Sequence, residues 1–212
     1  MLPRLKWQTS GSARPSADAA ALMLYVALNF TAEVETDDQG KRLGRASVSY
    51  AELEHITGLS RALISTGLKR LVEFGLIAST GSDQKRGYVI PWASNRWFKL
   101  PCRAILSDGK IRPFQQLSLR GKRELHALKL YLYLASIRDN RLPFSMASHE
   151  KIHKRLGIPE GEIRRAHSLL TSIGFLAGID SEFQGIEKVN EPNKYYLTGF
   201  QSLIVKEIQQ AV

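Results

Sequence analysis

The chain has 212 residues, of which 43% are hydrophobic, and its formal net charge is +10 at pH 7. This length is enough for one large domain or two small ones with hydrophobic cores. The sequence contains no unbroken apolar run of membrane length and no signal-peptide pattern, so we expect a cytoplasmic protein with no membrane partner. The single cysteine, Cys102, excludes an internal disulfide and has no nucleophile motif around it.

The first 48 residues predict a tail, a helix and a loop. Residues 1–16 contain three basic residues and no acidic one, which is typical of a flexible basic tail that is either disordered or able to enter a DNA minor groove. Apolar residues recur from Ala17 to Phe30 and predict a helix. The charged stretch from Glu33 to Arg45 predicts a connecting loop.

Residues 48–75 carry start and stop signals for two short helices. Ser49 stands three residues before Glu52, the spacing of a capping box. Gly58 ends this first helix, and Ser60 is placed to cap a second one. Gly75 is placed to end the second helix in a left-handed conformation. The pattern predicts a helix-turn-helix.

A hairpin is predicted directly after these two helices. Residues 76–79 read as a strand, residues 81–87 as a polar loop that contains Lys85 and Arg86, and residues 88–90 as a returning strand. The stretch GLSRALISTGLKRLVEFGLI at 58–77 resembles the turn, recognition helix and first wing strand of winged-helix DNA-binding proteins. These include bacterial multiple-drug-resistance-type regulators and plasmid or phage replication initiators.

The second helix has two chemically different sides. Ile64, Leu68 and Leu71 fall on one side of a helical wheel and predict its buried face. The other side and the helix start carry small, hydroxyl and cationic side chains, which suit base edges and phosphates. The alternative is an ordinary solvated face. The candidate DNA-binding residues of this unit are Ser60, Arg61, Ala62, Ser65, Thr66, Lys69 and Arg70, with Lys85 and Arg86 in the wing.

The C-terminal half repeats the N-terminal half. LMLYVAL at 22–28 recurs as LKLYLYL at 128–134, and further on an offset of 99 residues aligns the helix-turn-helix signals. The aligned pairs are Ser49 and Ser148, Leu53 and Ile152, Gly58 and Gly157, Leu59 and Ile158, Ile64 and Ile163, Leu71 and Leu170, and Gly75 and Gly174.

We therefore predict a mainly α protein with small β wings (α+β), built as two winged helix-turn-helix domains in tandem. The predicted divisions are a basic flexible tail at 1–16, a first winged-helix domain at 17–91, a basic aromatic connector at 92–118, a second winged-helix domain at 119–198 and a C-terminal helix at 199–212.

The second copy differs from the first in its charges. Its candidate DNA-binding residues are Lys154, Arg155, Arg164 and Arg165. Its presumed wing, at 180–193, contains four acidic residues and one lysine, and phosphate would repel such a wing. The second recognition helix therefore either contacts DNA while the wing points elsewhere, or serves in protein contact.

Most of the net charge lies between the two copies. Residues 92–123 contain eight basic residues and one acidic residue, interleaved with aromatic residues. Arg96 and Lys99 are the candidate DNA-binding residues here, because such a stretch can follow a phosphate backbone. The alternative is that the aromatic residues pack the domain junction while the charges solvate it.

The stretch His149-Glu150-Lys151-Ile152-His153 matches the H-E-x-x-H pattern of zinc proteases. It falls on the predicted first helix of the second helix-turn-helix, where Ile152 takes a core position and turns both histidines toward the flanks. His167 aligns with the core residue Leu68 and is a poor third ligand. We expect no metal, no cofactor and no enzymatic activity.

The expected function is sequence-specific binding of double-stranded DNA by a nucleoid-associated protein. Two roles remain open, a transcriptional regulator and a replication initiator of a plasmid, phage or other mobile element, which the tandem arrangement resembles. An alternative is a winged-helix interaction subunit of a chromosome-organising complex, although such subunits usually have an acidic surface. The apolar C-terminal stretch either closes the second core or pairs with another copy in a homodimer.

Overall fold

A computed structural model describes residues 15–80, 87–92, 99–180 and 192–204. The helices are α1 (Pro15–Thr31), α2 (Tyr50–Thr57), α3 (Arg61–Glu73), α4 (Cys102–Ile105), α5 (Lys122–Ile137), α6 (His149–Leu156) and α7 (Glu160–Ser172). The strands are β1 (Glu33–Thr36), β2 (Arg42–Ser47), β3 (Ala78–Thr80), β4 (Gly87–Pro91), β5 (Leu106–Ser107), β6 (Lys110–Ile111), β7 (Ser145–Ala147), β8 (Leu176–Asp180) and β9 (Asn193–Leu197). Two 3-10 turns lie at Arg112–Gln116 and Phe200–Leu203.

The described chain has an α+β architecture, with helices and small antiparallel sheets, which is the coarse fold class predicted from the sequence. One element order occurs twice: a long helix, a strand, two short helices and a hairpin. We name residues 15–91 the first unit and residues 122–197 the second unit. Both α6 and α7 begin and end 99 residues after α2 and α3, so the predicted sequence offset is also an offset between helices.

Each unit closes with a small antiparallel sheet. In the first unit the strand order is β1-β2-β4-β3, and in the second it is β7-β9-β8. The strand that precedes the two short helices pairs with the second strand of the terminal hairpin in both units, as in the Ala46–Tyr88 and Ser145–Tyr195 pairs. This pairing holds the terminal hairpin next to the two short helices.

The predicted helix signals of the first unit are confirmed. The Glu52 amide donates to Ser49 Oγ at 3.2 Å, and the Ser49 amide donates to Glu52 Oε2 at 2.7 Å, which completes the capping box. Gly58 ends α2 with φ of 73°, and Gly75 after α3 has φ of 64°. Both glycines adopt a left-handed conformation that costs other residues steric strain.

Helix α1 lies at the centre of the molecule, in contact with α3 of its own unit and with α5 of the second unit. Its small residues, Ala19, Ala20 and Ala21, are buried and allow close approach of the neighbouring helices. Buried apolar residues of both units and of the connector form one continuous core. The two units therefore share a hydrophobic interior.

The connector between the units packs the junction over the part that the structure describes, from Lys99 onward. Phe114 is buried and contacts Phe175 edge to face, with ring centroids 5.7 Å apart, while Phe175 stacks on Tyr131 at 4.0 Å. The apolar residues of this part thus pack the junction between the units, which is the alternative given for the connector. The cations between residues 103 and 123 are exposed, at positions 103, 110, 112, 120, 122 and 123.

Two sequence predictions are corrected by the structure. The stretch from Glu33 to Arg45 is largely a hairpin, β1 and β2, because Asp37 and Gly40 close a tight turn in which the Gly40 amide donates to the Asp37 carbonyl at 2.9 Å. At the other end of the chain, the predicted C-terminal helix begins as a 3-10 turn that ends at Leu203, and residues 205–212 lie outside the described residues.

Close packing of α1 on α3 depends on Gly67. A Cβ atom at this position would lie 2.6 Å from Leu24 Cδ1 and 3.0 Å from the Ala21 amide nitrogen. We expect Gly67→Ala to lower the free energy of unfolding by about 1–2 kcal/mol, because overpacking outweighs the gain in helix propensity. The measurement is urea unfolding at pH 7.

Gly161 provides the matched control, because it lies in α7 and a Cβ atom added there would meet open space. Gly161→Ala should raise the free energy of unfolding by up to about 1 kcal/mol through helix propensity alone. Equal effects of the two substitutions would contradict the close contact between α1 and α3.

Candidate nucleic-acid interface

The start of α3 is electropositive. Ser60 caps the helix, with its Oγ accepting from the Leu63 amide at 3.4 Å, and the first turn contains no acidic residue. The partial positive charge of the free amides is therefore uncompensated by a carboxylate of the first turn. An anion such as a phosphate is favoured at this end.

Four of the predicted contact residues lie together on the exposed side of α3. Arg61, Ala62, Thr66 and Lys69 are exposed, and Ser65 is half-buried. The buried residues of α3 are Ile64, Gly67, Leu68 and Leu71. The structure thus separates a core side from an open polar side, as the helical wheel predicted.

The polar groups on this face are available for new hydrogen bonds. Thr66 Oγ1 donates to the Ala62 carbonyl at 2.8 Å, which leaves the hydroxyl oxygen able to accept a hydrogen bond. Arg61 Nε lies 3.8 Å from Glu54 Oε2, and both side chains are largely exposed, so this ion pair is weak. A donor-rich surface of this kind fits base edges and phosphate oxygens.

Arg70 is a correction to the predicted contact set. Its Nε donates to Asp18 Oδ1 at 3.0 Å, its Nη1 donates to Glu73 Oε2 at 2.9 Å, and the guanidinium lies 4.6 Å above the Phe74 ring. Asp18 has no exposed surface. Arg70 therefore pairs with a buried carboxylate, and this contact removes it from the set of predicted DNA-contact residues. A lone aspartate in an otherwise apolar helix was the sequence signal for such a buried partner.

The second unit presents its cations mainly on α6. Lys154 and Arg155 are exposed, as predicted, and Lys151 is exposed on the same side of the helix although it was not among the residues predicted from the sequence. The spacing i, i+3 and i+4 was the signal that could have identified Lys151. These three cations lie within one stretch of α6 surface.

Helix α7 is less suited to DNA than α3. Arg164 and Arg165 are exposed, but Arg165 Nη1 lies 2.7 Å from Glu162 Oε1, and Glu160 and Glu162 occupy the first turn. Pro159 precedes the helix without a side-chain cap. Carboxylates at the helix start oppose the approach of phosphate, so the two helices differ in their electrostatics.

The remaining candidates lie in or beside the undescribed segments. Lys99 is exposed at the point where the connector leads into α4. Lys85, Arg86 and Arg96 lie outside the described residues, as do residues 181–191, which hold most of the acidic stretch predicted as the second wing.

Helix α7 carries a buried histidine, His167, that faces α6. The ring of His167 is 4.9 Å from that of Tyr195 and 5.6 Å from that of His149, and its Nε2 is buried without a hydrogen-bond partner among the described residues. Burial, together with the neighbouring His149, lowers the pKa of His167 to about 4. The imidazole is therefore neutral at physiological pH.

The histidines of the H-E-x-x-H stretch take part in local packing. His149 faces His167, and His153 Nδ1 lies 2.8 Å from the Ile158 carbonyl. Across the described ranges, no group of three or more His, Cys, Asp or Glu side chains is arranged to hold a metal ion. None of the helices in those ranges is both long and apolar enough to cross a membrane.

Comparisons with known proteins give no relative for this chain. No family model, curated protein or solved structure matches it. A function can therefore be proposed only from the residues and contacts described above.

The structural role of Arg70 can be separated from the contact role of Lys69. Arg70→Ala leaves Asp18 as an uncompensated buried charge, so we expect the free energy of unfolding to fall by about 3–5 kcal/mol. Lys69→Ala removes an exposed side chain and should change this free energy by less than about 0.5 kcal/mol. Urea unfolding at pH 7 measures both variants. Equal stabilities would contradict the assignment of Arg70 to the interior.

His167 makes the stability of the protein sensitive to acid. The folded state lowers the pKa of this histidine from 6.5 to about 4, so the unfolded chain takes up the proton first as the pH falls. The stability is fully present above pH 6.5 and decreases from there toward pH 4, with a loss of about 2 kcal/mol between pH 7 and pH 5.

Leucine occupies the equivalent position 68 of the first unit, so His167→Leu is the natural test. We expect the difference in unfolding free energy between pH 7 and pH 5 to shrink by about 2 kcal/mol in this variant. A pH dependence identical to that of the original protein would show that another group causes it.

Proposed function

We propose that the protein binds double-stranded DNA sequence-specifically through two winged helix-turn-helix units. The observation that carries the proposal is the exposed face of α3, on which Arg61, Ala62, Thr66 and Lys69 lie beside a capped helix start without a first-turn acid. The size of an α-helix matches the major groove, and these side chains suit contacts to base edges and phosphates.

The arrangement of elements supports the winged-helix assignment. Each unit has two short helices joined by a tight turn with a left-handed glycine, Gly58 or Gly157, followed by an antiparallel hairpin. The second short helix of each unit has one buried and one exposed side. A recognition helix and a hairpin wing use the same order in winged-helix proteins.

Charge supports a nucleic-acid partner over a protein partner. The net charge of +10 and the exposed cations of the connector supply a sequence-independent attraction to phosphate. A winged-helix interaction subunit of a chromosome-organising complex usually has an acidic surface instead. Specific duplex binding serves two roles equally, repression at a promoter and initiation of replication at origin repeats.

The test begins with selection of bound sequences from a random duplex pool, which yields a preferred site. Thr66→Ala and Lys69→Ala should then each weaken binding to that site by about 1–3 kcal/mol while changing the affinity for random duplex much less. The physical reason is that both side chains face outward from the helix that approaches the bases. Titrations at several salt concentrations measure both affinities.

Three further variants complete this experiment. Lys85→Ala and Arg86→Ala, at positions outside the described residues, should weaken both duplexes about equally and lower the salt slope by about 1 each. Lys41→Ala, at an exposed lysine before β2, should change neither affinity. The proposal fails if the original protein binds no duplex at low salt, or if all variants lose affinity equally on every sequence.

A further inference from the structure

One side of α6 carries a continuous group of cations, which we call the basic face of α6: Lys151, Lys154 and Arg155. All three are exposed, and at about 100° per residue they lie within about 100° of one another around the helix axis. The opposite side is anchored by the buried residues Ile152 and Leu156. None of the three cations is paired with a carboxylate of the ranges that the structure describes, although Glu150 flanks the face.

The equivalent surface of the first unit is built differently. Glu52, His55 and Ile56 stand at the positions of the three cations, 99 residues earlier. The connector contacts this part of α2: His55 Nε2 lies 2.9 Å from the Asp108 carbonyl, and Gln115 Nε2 donates to the Ile56 carbonyl at 3.2 Å. Ile56 is buried while Glu52 and His55 stay exposed, so this surface carries no lysine or arginine in the first unit and is basic in the second.

The second short helix of the second unit, α7, differs from α3 in the charge of its first turn. Glu160 and Gly161 stand where α3 has Arg61 and Ala62, so the start of α7 is acidic and offers fewer groups to a base edge. Arg165 is engaged with Glu162 in the same helix. The second unit thus keeps the element order of the first and gains three exposed cations on its first short helix, while its second short helix combines Arg164 and Arg165 with an acidic start.

We propose that the second unit binds the phosphate backbone of duplex DNA through the basic face of α6 and does not recognise bases through α7. This inference rests on the proposed DNA binding and assigns the two units different tasks. The first unit selects the sequence with α3, and the second adds affinity that is independent of sequence and sensitive to salt. Three cations spaced within one helical turn match a contact to successive backbone phosphates.

The test is the triple variant Lys151→Gln, Lys154→Gln, Arg155→Gln in the full chain. Glutamine preserves helix propensity, and the side chains are exposed, so the variant should unfold at the temperature of the original protein. We expect it to weaken binding to the selected site and to random duplex by the same factor. With three phosphate contacts removed, the loss of affinity between 50 and 200 mM salt should be about 40-fold smaller than in the original protein.

The control has the same change in charge at other exposed positions: Lys41→Gln and Arg42→Gln at the start of β2, and Arg141→Gln before β7. This control should leave the salt slope unchanged. An equal effect of control and test variants would show a general effect of net charge and overturn the proposal. A second variant, Arg164→Ala with Arg165→Ala, should leave the ratio of specific to random affinity unchanged, and a loss of this ratio would overturn the proposal by assigning base recognition to α7.

The outcomes also separate this inference from the function on which it rests. If the original protein binds duplex and the triple variant has the same affinity and salt slope, only the proposed role of the basic face of α6 is overturned. Absence of duplex binding by the original protein overturns both proposals. A third outcome concerns lipid. If the original protein binds vesicles of anionic lipid, and the triple variant loses this binding but keeps its DNA affinity, the basic face of α6 belongs to a membrane surface and the inference is overturned.

Discussion

The structure depends on one buried charge in an apolar helix. Asp18 has no exposed surface, yet it lies on α1, which packs between α3 and α5. Arg70 of the first unit holds this carboxylate at 2.9 Å. Burial lowers the pKa of Lys129 on α5, and the negative charge of Asp18 opposes that shift. Loss of Arg70 removes the guanidinium that binds this buried carboxylate, so the ion pair fixes the orientation of α3 on α1 at the junction with the second unit.

Local structure could be predicted from the sequence where its cause lies within a few residues. The capping box at Ser49, the left-handed glycine at Gly58 and the bounds of α2 and α3 depend on neighbours along the chain, and the predictions for them are confirmed. Arg70 was misassigned because its partner, Asp18, is 52 residues away and only the packing of α1 brings the two together. The hairpin at 33–47 was missed because its second strand, β2, is stabilised by pairing with β4, which also comes from a distant segment.

The two units show how a repeated backbone permits different surfaces. Buried positions keep their apolar character at the offset of 99 residues, with Ile64 and Ile163 both fully buried, and they maintain equal helix lengths in both units. Exposed positions carry no such constraint, because a surface substitution usually changes stability little. His167 is one buried position where this character changes. It replaces the aliphatic Leu68 with a ring whose Nε2 finds no partner in the described ranges, and its effect on stability becomes more unfavourable as the pH falls.

The connector contacts α2 of the first unit. Its turn packs so closely against α2 that a Cβ atom at Gly109 would lie 3.2 Å from His55 Nε2. Ile56 is buried beneath the connector, whereas Glu52 and His55 stay exposed and give this surface no lysine or arginine. The second unit has no equivalent cover over α6 in the described chain, so cations can accumulate there without losing solvent. Side chains whose chemistry suits bases therefore lie in one unit and side chains whose chemistry suits phosphates in the other, and both surfaces are built on one shared interior.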